Sequence, residues 1–352
     1  MTLEQLLTRL EESSGSLDQS GDWPREQFAD LAAAGVLQWV IPREYGGTDI
    51  SNVELTEGYE ALAKACLTTT FILTQRNGAC QRIAACENEE LKAELLPSLA
   101  RGETFATVGI SHLTTSRQHV KTPAVQVQQE GNSLKLNGMI PWVTGADQAD
   151  FVVTGGTDPQ GRQMLIVLPT DSAGVEVQPF ARLMALTESR TASIKLDGVT
   201  LPDRFLIAGP IENVMKQGAG GAGSLTTSTL ALGLTARALE LIAKQAEVRS
   251  DLKSVSEQFQ QEFEVLRNDL YRSTADGDAG MPQLSAASIR QRANSLAIRA
   301  TQAAMAVSKG AGFVHGHPAE RAVREAMFFL VWSCPQPVVQ GVLEELTCRE
   351  GL

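Results

Sequence analysis

A tryptophan and a threonine two residues apart are the first pair in this chain whose types and spacing suggest chemistry: Trp142-Val143-Thr144-Gly145-Ala146, running on to Asp147 and Asp150. On a strand, residues two apart face the same side, so the indole would flank a planar ring while the hydroxyl donates to one of that ring's nitrogens. The plainer alternative is a strand that ends in a polar turn. Other motifs carry less. Gly218-Ala219-Gly220-Gly221-Ala222-Gly223 satisfies GxGxxG, but no buried-strand run precedes it. About 20 residues on, Ala243 and Lys244 stand where a ribose-binding acid belongs, so the stretch reads as a flexible lead into a helix. His315-Gly316-His317 has only Glu320 beside it, short of a metal's ligand set, and reads as a loop of solvated histidines. His112 and His119 lie in a Ser/Thr-rich stretch without a GxSxG nucleophile, so no hydrolase triad is supported.

The chain has 352 residues, 43% of them hydrophobic and 20% charged, enough for two or three domains of roughly 100–150 residues each. Thirty Lys and Arg against 41 Asp and Glu leave a net charge of −11 with no basic cluster, which argues against nucleic acid as a partner. The first residues show no positive region followed by an apolar stretch, and no window approaches the ~18 apolar residues of a membrane span. The expectation is a cytoplasmic protein with no membrane contact. Five cysteines (Cys66, Cys80, Cys86, Cys334, Cys348) without a CxxC support neither a disulfide framework nor a thiolate zinc site.

Residues 1–104 are helical by period: Leu3, Leu6, Leu7 and Leu10 form one face, and further runs cover 24–34, 53–65, 68–85 and 89–99. A short strand is expected over 36–41, closed by Pro42. From Phe105 the period changes to two, with turns at Glu130-Gly131 and Asp158-Pro159, giving an antiparallel β-domain over 105–210 that ends where Gly209-Pro210 breaks the pattern. Helices return over 211–352, at 224–248, 254–273, 285–308 and a fourth after Pro335, and make a four-helix bundle. Phe259, Phe263, Leu266 and Leu270 form one apolar stripe. Ala293, Ala297, Ala300 and Ala304 offer a small-residue face on which a second copy of the chain would pack.

Four pieces in order across nearly the whole chain resemble the acyl-CoA dehydrogenase superfamily. They are Gly35-Val36-Leu37 through Ile41-Pro42 to Tyr45-Gly46-Gly47; the Trp142 to Ala146 run with Ala149-Asp150; Asp197-Gly198-Val199 with Leu201-Pro202; and Gly310-Ala311-Gly312-Phe313 followed by Pro318-Ala319-Glu320-Arg321 and Arg324-Glu325-Ala326. The resemblance implies an α+β chain of that fold: N-terminal helical domain, middle β-domain, C-terminal four-helix bundle. It implies bound FAD, in preference to FMN, between the β-domain and the bundle, with the adenine end reaching a neighbouring subunit of a homodimer or homotetramer. By position, Trp142 would pack against the isoalloxazine and Thr144 would hydrogen-bond its N5. Arg249 would meet the pyrophosphate, where guanidinium binds bidentately, although Ser250-Asp251-Leu252 replaces the usual phenylalanine-glycine. Gly310 and Gly312 would let the backbone approach the adenosine. A hydroxyl for the pyrimidine edge would come from Thr107, Ser111, Thr114 or Thr115.

The family's α,β-dehydrogenation of an acyl thioester uses a carboxylate to take the α-proton while a hydride goes to the flavin. Here the residue at that position is Ser333, within Trp332-Ser333-Cys334-Pro335, and the alternative position on the first bundle helix reads Thr226-Thr227-Ser228. Both are uncharged, and a serine without a neighbouring base does not do this work at neutral pH. Three readings follow: a dehydrogenase with a displaced acid, for which Glu325 is the first candidate; a flavin-dependent monooxygenase on the same fold; or a non-catalytic flavin-binding homologue.

Overall fold

The computed structural model describes residues 1–114, 122–216, 225–332, 334 and 336–347. Five helices come first: α1 (Leu3–Ser20), α2 (Arg25–Ala33), α3 (Asn52–Ala65), α4 (Leu67–Ala84) and α5 (Glu89–Arg101). Thr2 with Gln5 and Ser51 with Glu54 form capping boxes that start α1 and α3 by satisfying otherwise orphaned N–H groups. α4 is buried on nearly every face and carries the fully buried Arg76. That guanidinium donates to the carbonyls of Leu37 and Leu99 and to Asn77 Oδ1, tying α4 to the segments on either side of it.

The strand expected over 36–41 is absent. Val36–Gln38 is a single 3-10 turn. The carbonyls of the segment are already taken, Leu37 by Arg76, Gln38 by the Thr48 N–H at 2.9 Å and Trp39 by the Ile50 N–H at 3.0 Å, and are not offered to a neighbouring strand.

The sheet is built from β1 (Ala106–Gly109), β2 (Val125–Glu130), β3 (Ser133–Val143), β4 (Phe151–Thr157), β5 (Gln163–Pro169), β6 (Val175–Val177), β7 (Ala192–Pro202) and β8 (Leu206–Ile211), with the short helix α6 (Ser111–Thr114) after β1. The order is β6-β7-β3-β2-β4-β5-β8, with β1 also on β4. Most pairs are antiparallel, but β1 and β2 each run parallel to β4, so the sheet is mixed rather than purely antiparallel. The last strand, β8, ends one residue past the Gly209-Pro210 pair. β8 continues to Ile211 because it is an edge strand, where a proline costs no ladder bond on its open side.

The remaining helices are α7 (Thr226–Val248), α8 (Lys253–Asp276), α9 (Ala286–Ser308), α10 (Pro318–Phe328) and α11 (Gln336–Leu346). Phe263, Leu266 and Leu270 of the α8 stripe are buried as the period requires. Ala293, Ala297, Ala300 and Ala304 are fully buried inside their own chain, so they are not the self-association face expected of them; α7 and α10 already cover α9.

Two hydrophobic cores result. One joins the sheet to α5 and to the C-terminal half of α4. The other takes Leu6 and Leu10 of α1 and Leu62 of α3 together with Leu230, Leu266, Leu296 and Ala326 from α7 to α10. Within this helical core, where α7 packs on α3, a Cβ on Gly233 of α7 would stand 2.6 Å from both the Ala63 Cβ and the Glu60 carbonyl oxygen of α3. Gly233→Ala should therefore destabilise. It gains about 1 kcal/mol of helix propensity but incurs ~1–3 kcal/mol of overpacking against backbone that cannot rotate away. The net loss, up to about 2 kcal/mol, would be read as a lower urea midpoint with an unchanged slope.

Candidate functional site

β3 loses its register between Ile140 and Val143, and Trp142 within that irregularity has φ 56°. The indole is consequently thrown outward, 61% exposed, while Thr144 just past the strand end is buried. The two side chains do not share a strand face, because the bulge breaks the period of two on which that expectation rested. Ser111 does lie beside this segment, its Oγ donating to the Pro141 carbonyl at 3.2 Å, and Thr114 donates back to the Ser111 carbonyl at 3.3 Å within α6. Thr107, on β1, is fully buried with no partner for its hydroxyl among the described residues. Thr115 lies outside the described residues.

Thr144 points into the protein. Its hydroxyl is 3.4 Å from that of Thr191, which is 2.9 Å from that of Ser189, and the Gly145 N–H donates to the Ser189 carbonyl at 2.8 Å. These partners come from the 3-10 turn Thr187–Ser189, flanked by two more non-glycine residues in left-handed conformation, Leu186 at φ 62° and Arg190 at φ 49°. Arg190 is fixed by Asp147 and lies 4.1 Å over the Phe180 ring. Leu186 and Arg190, on the turn that meets Thr144 and Gly145, and Trp142 itself are three L-residues in left-handed backbone, held against their preference as binding sites often require. An exposed indole face with Ser111 and Thr114 at its side fits a planar heteroaromatic ring.

At the end of α10, Trp332 stacks on Phe328 with ring centroids 4.9 Å apart, and Phe71 of α4 meets both rings edge-on. Two side chains of α9 one turn apart hold the backbone there. Arg290 donates to the Trp332 carbonyl at 2.7 Å and Asn294 to the Phe329 carbonyl at 2.9 Å, so a cation sits at a helix C-terminus where the dipole favours it. Burial pushes the Arg290 guanidinium down to about 10, and its Nε has no partner among the described residues. Ser333 lies outside the described residues; Cys334 beside it is half-buried, its thiol pushed up by burial. At the start of α7, Thr227 and Ser228 are buried and the Ser228 hydroxyl has no partner among the described residues. Glu325 is not free to act as a base in this arrangement, being buried in ion pairs with Arg237 and Arg321.

Arg249 caps the other end of the bundle, donating to the Val307 carbonyl at 3.0 Å with Asp251 3.5 Å away. This places it near Gly310 and Gly312, about 27 Å along α9 from Arg290 at 1.5 Å per residue. A Cβ on Gly310 would meet nothing within 4 Å, whereas one on Gly312 would lie 2.8 Å from the Ser308 Cβ, so Gly312 is explained by its own turn. Phe313 and Val314 beside them are exposed. The site residues thus fall into two groups, Trp142–Ser111–Thr114–Thr144 and Arg249–Gly310–Gly312.

Among the described residues no group of three His, Cys, Asp or Glu is placed to hold a metal, and no helix is long and apolar enough to cross a membrane. His317 caps α10 through the Ala319 N–H, and His315 faces Glu320 at 3.4 Å. The glycine run 218–223 and His119 lie outside the described residues. Sequence reasoning passed over Glu188, Ser189, Thr191 and Arg290. They stand in no motif, and only the left-handed residues around the turn, which no residue type announces, bring Ser189 and Thr191 to Thr144.

The family model for the acyl-CoA dehydrogenase N-terminal domain matches residues 5–103. A probable acyl-CoA dehydrogenase, YngJ of Bacillus subtilis, is 24% identical across 88% of this chain and 86% of its own. The probable acyl-CoA dehydrogenase fadE25 of Mycobacterium leprae is 23% identical across 96% and 90%. The fold of butyryl-CoA dehydrogenase from Megasphaera elsdenii superposes with a TM-score of 0.84 at 18% identity, over 99% of this chain and 98% of that one. With the helix–sheet–helix architecture, these likenesses show an acyl-CoA dehydrogenase fold over the whole chain, with residues 5–103 similar to that family's N-terminal domain.

Proposed function

We propose that this chain is an FAD-dependent oxidoreductase acting on an acyl thioester, with Trp142 packed against the isoalloxazine, Thr144 at its N5 edge and Ser111 and Thr114 on its pyrimidine edge. The observation that carries this reading is the exposed Trp142 indole, held in a left-handed backbone next to Pro141, whose carbonyl accepts from Ser111. The names of the relatives support the substrate class. A bound flavin supplies a hydride acceptor. The chain's own residues must then orient the thioester and hold the proton lost from its α-carbon.

For that proton the described residues offer no free carboxylate at the start of α7 or the end of α10, and Ser333 is uncharged. The same observation favours a second reading, a flavin-dependent monooxygenase on this fold, whose chemistry needs no α-proton abstraction. Arg249 and Gly310 belong to the pyrophosphate and adenosine end of the cofactor in this proposal. The exposed Phe313 and Val314 beside them suit cover by a second copy in a homodimer or homotetramer.

Titration of the folded protein with FAD and with FMN tests the reading. FAD should bind, and Trp142→Leu should weaken it by about 3- to 10-fold, the value of an aromatic stacking contact of roughly 0.5–1.5 kcal/mol. Failure to bind either flavin would overturn the proposal. Rapid anaerobic bleaching by an acyl-CoA would separate the dehydrogenase from the oxygenase.

A further inference from the structure

α9 carries a buried cation that no acid among the described residues answers. Arg290 is 6% exposed, and of the five N–H donors a guanidinium offers, only one on Nη2 has an acceptor there, the Trp332 carbonyl at 2.7 Å. Its one titratable neighbour among the described residues is the Cys334 thiol, which burial keeps neutral. The other fully buried guanidiniums are occupied. Arg237 and Arg321 meet Glu325, and Arg76 donates to two carbonyls and to Asn77 Oδ1. One turn along the same face of α9, Asn294 gives its Nδ2 to the Phe329 carbonyl and leaves its buried Oδ1 without a partner among the described residues. Capping the end of α10 does not need a charge, since the neutral amide of Asn294 caps the same stretch. A guanidinium held in the interior is costly unless something supplies the opposite charge.

The segment that Arg290 holds is open on its outer side, where Val331 is 77% exposed and Cys334 half-buried. On its inner side the Phe71, Phe328 and Trp332 rings pack together. Resting on the acyl-thioester reading above, in which the residue after Trp332 stands where the α-proton leaves, we propose that Arg290 is a specificity-determining residue that receives a carboxylate carried by the acyl part of the substrate. The substrate is then the thioester of a dicarboxylic acid rather than of a straight-chain monocarboxylic acid. The Nη1 hydrogens, which have no acceptor among the described residues, meet the carboxylate in a charge-assisted bond. A water that accepts from Nε and donates to Asn294 Oδ1 keeps its second hydrogen for the same carboxylate, so both unpartnered atoms are satisfied. The neighbouring rings exclude water and strengthen the attraction. An alkyl chain in the same place would leave the cation unanswered, and a site built around a polar group rejects an analogue that lacks its counterpart.

The test is calorimetric titration of FAD-loaded protein with paired thioesters, succinyl-CoA against butyryl-CoA and glutaryl-CoA against pentanoyl-CoA. The CoA portion is common to each pair, so its contribution cancels. The diacid of at least one pair should bind about 10- to 100-fold more tightly than its monoacid, the worth of a hydrogen bond to a charged group. Arg290→Gln should remove that preference and leave the affinity for the monoacid within a few-fold. Cys334→Asp keeps the guanidinium and its bond to the Trp332 carbonyl but gives it a carboxylate of the chain's own, and should remove the preference as well; it carries the test alone if Arg290→Gln does not fold. Equal affinities within both pairs in the wild type, or a preference that survives either substitution, overturn the proposal. If FAD binds but none of the four thioesters does, the acyl-thioester reading itself falls, and this proposal with it.

Discussion

Glu325→Gln should lower the unfolding free energy by about 3–5 kcal/mol, the largest stability effect expected of a single substitution in this chain. The carboxylate lies between Arg237 and Arg321, all three side chains no more than 8% exposed. Among the described residues Arg237 Nε and Nη1 and Arg321 Nε have no other hydrogen-bond partner, so removing the charge strands two cations in the interior. Arg237→Met in the same background should recover part of the loss, because an apolar side chain of similar length needs no counter-ion. Urea unfolding of the single and double variants measures both. An unchanged midpoint combined with lost acyl-CoA-dependent flavin reduction would show instead that Glu325 is the base and the ion pairs are incidental.

Ser333→Glu should raise the rate at which straight-chain acyl-CoAs reduce the flavin, from a wild-type rate that is very slow. General-base catalysis contributes about 10²–10⁴-fold when the base is well placed. The gain belongs at the lower end of that range for two reasons. Arg290, buried and without a carboxylate, holds the carbonyl of the preceding residue, and a cation so close makes a new carboxylate a weaker base. The backbone up to Trp332 is also fixed by Asn294 and by the Phe71–Phe328–Trp332 stack, and a misplacement of about 1 Å costs roughly 10²-fold. Anaerobic stopped-flow reduction is the measurement. Rapid reduction of the unmodified protein would mean that an acid elsewhere takes the proton.

The long helices and the change of period at Phe105 were legible because burial of one face imposes 3.6 or 2 on the sequence, and α3, α4, α5, α7 and α9 fall within one or two residues of their expected bounds. What failed shares a cause: each miss depends on contacts made far along the chain. The 36–41 segment reads as β-forming until Arg76, some forty residues later, takes the Leu37 carbonyl. The alanine stripe of α9 reads as an open face until α7 and α10 cover it. At the site, Trp142 was legible by type and by resemblance, but its orientation was not, since nothing in Pro141-Trp142-Val143 announces a left-handed φ on a tryptophan. The turn that carries Glu188 was silent for the same reason.

The seam between α3 and α7 has a bearing on how the chain is made. A ribosome at ~5–20 residues per second needs on the order of ten seconds or more to travel from the end of α3 to the end of α10. Until then Leu6, Leu10 and Leu62 have no α7, α9 or α10 to cover them. The sheet and its helices, by contrast, have their core complete once β8 has emerged. Residues 5–103, although a family model matches them as a domain, therefore do not close a core of their own during synthesis. The nascent chain carries an uncovered apolar helical face for most of its translation, and a chain released before α10 would be a substrate for chaperones rather than a smaller folded protein.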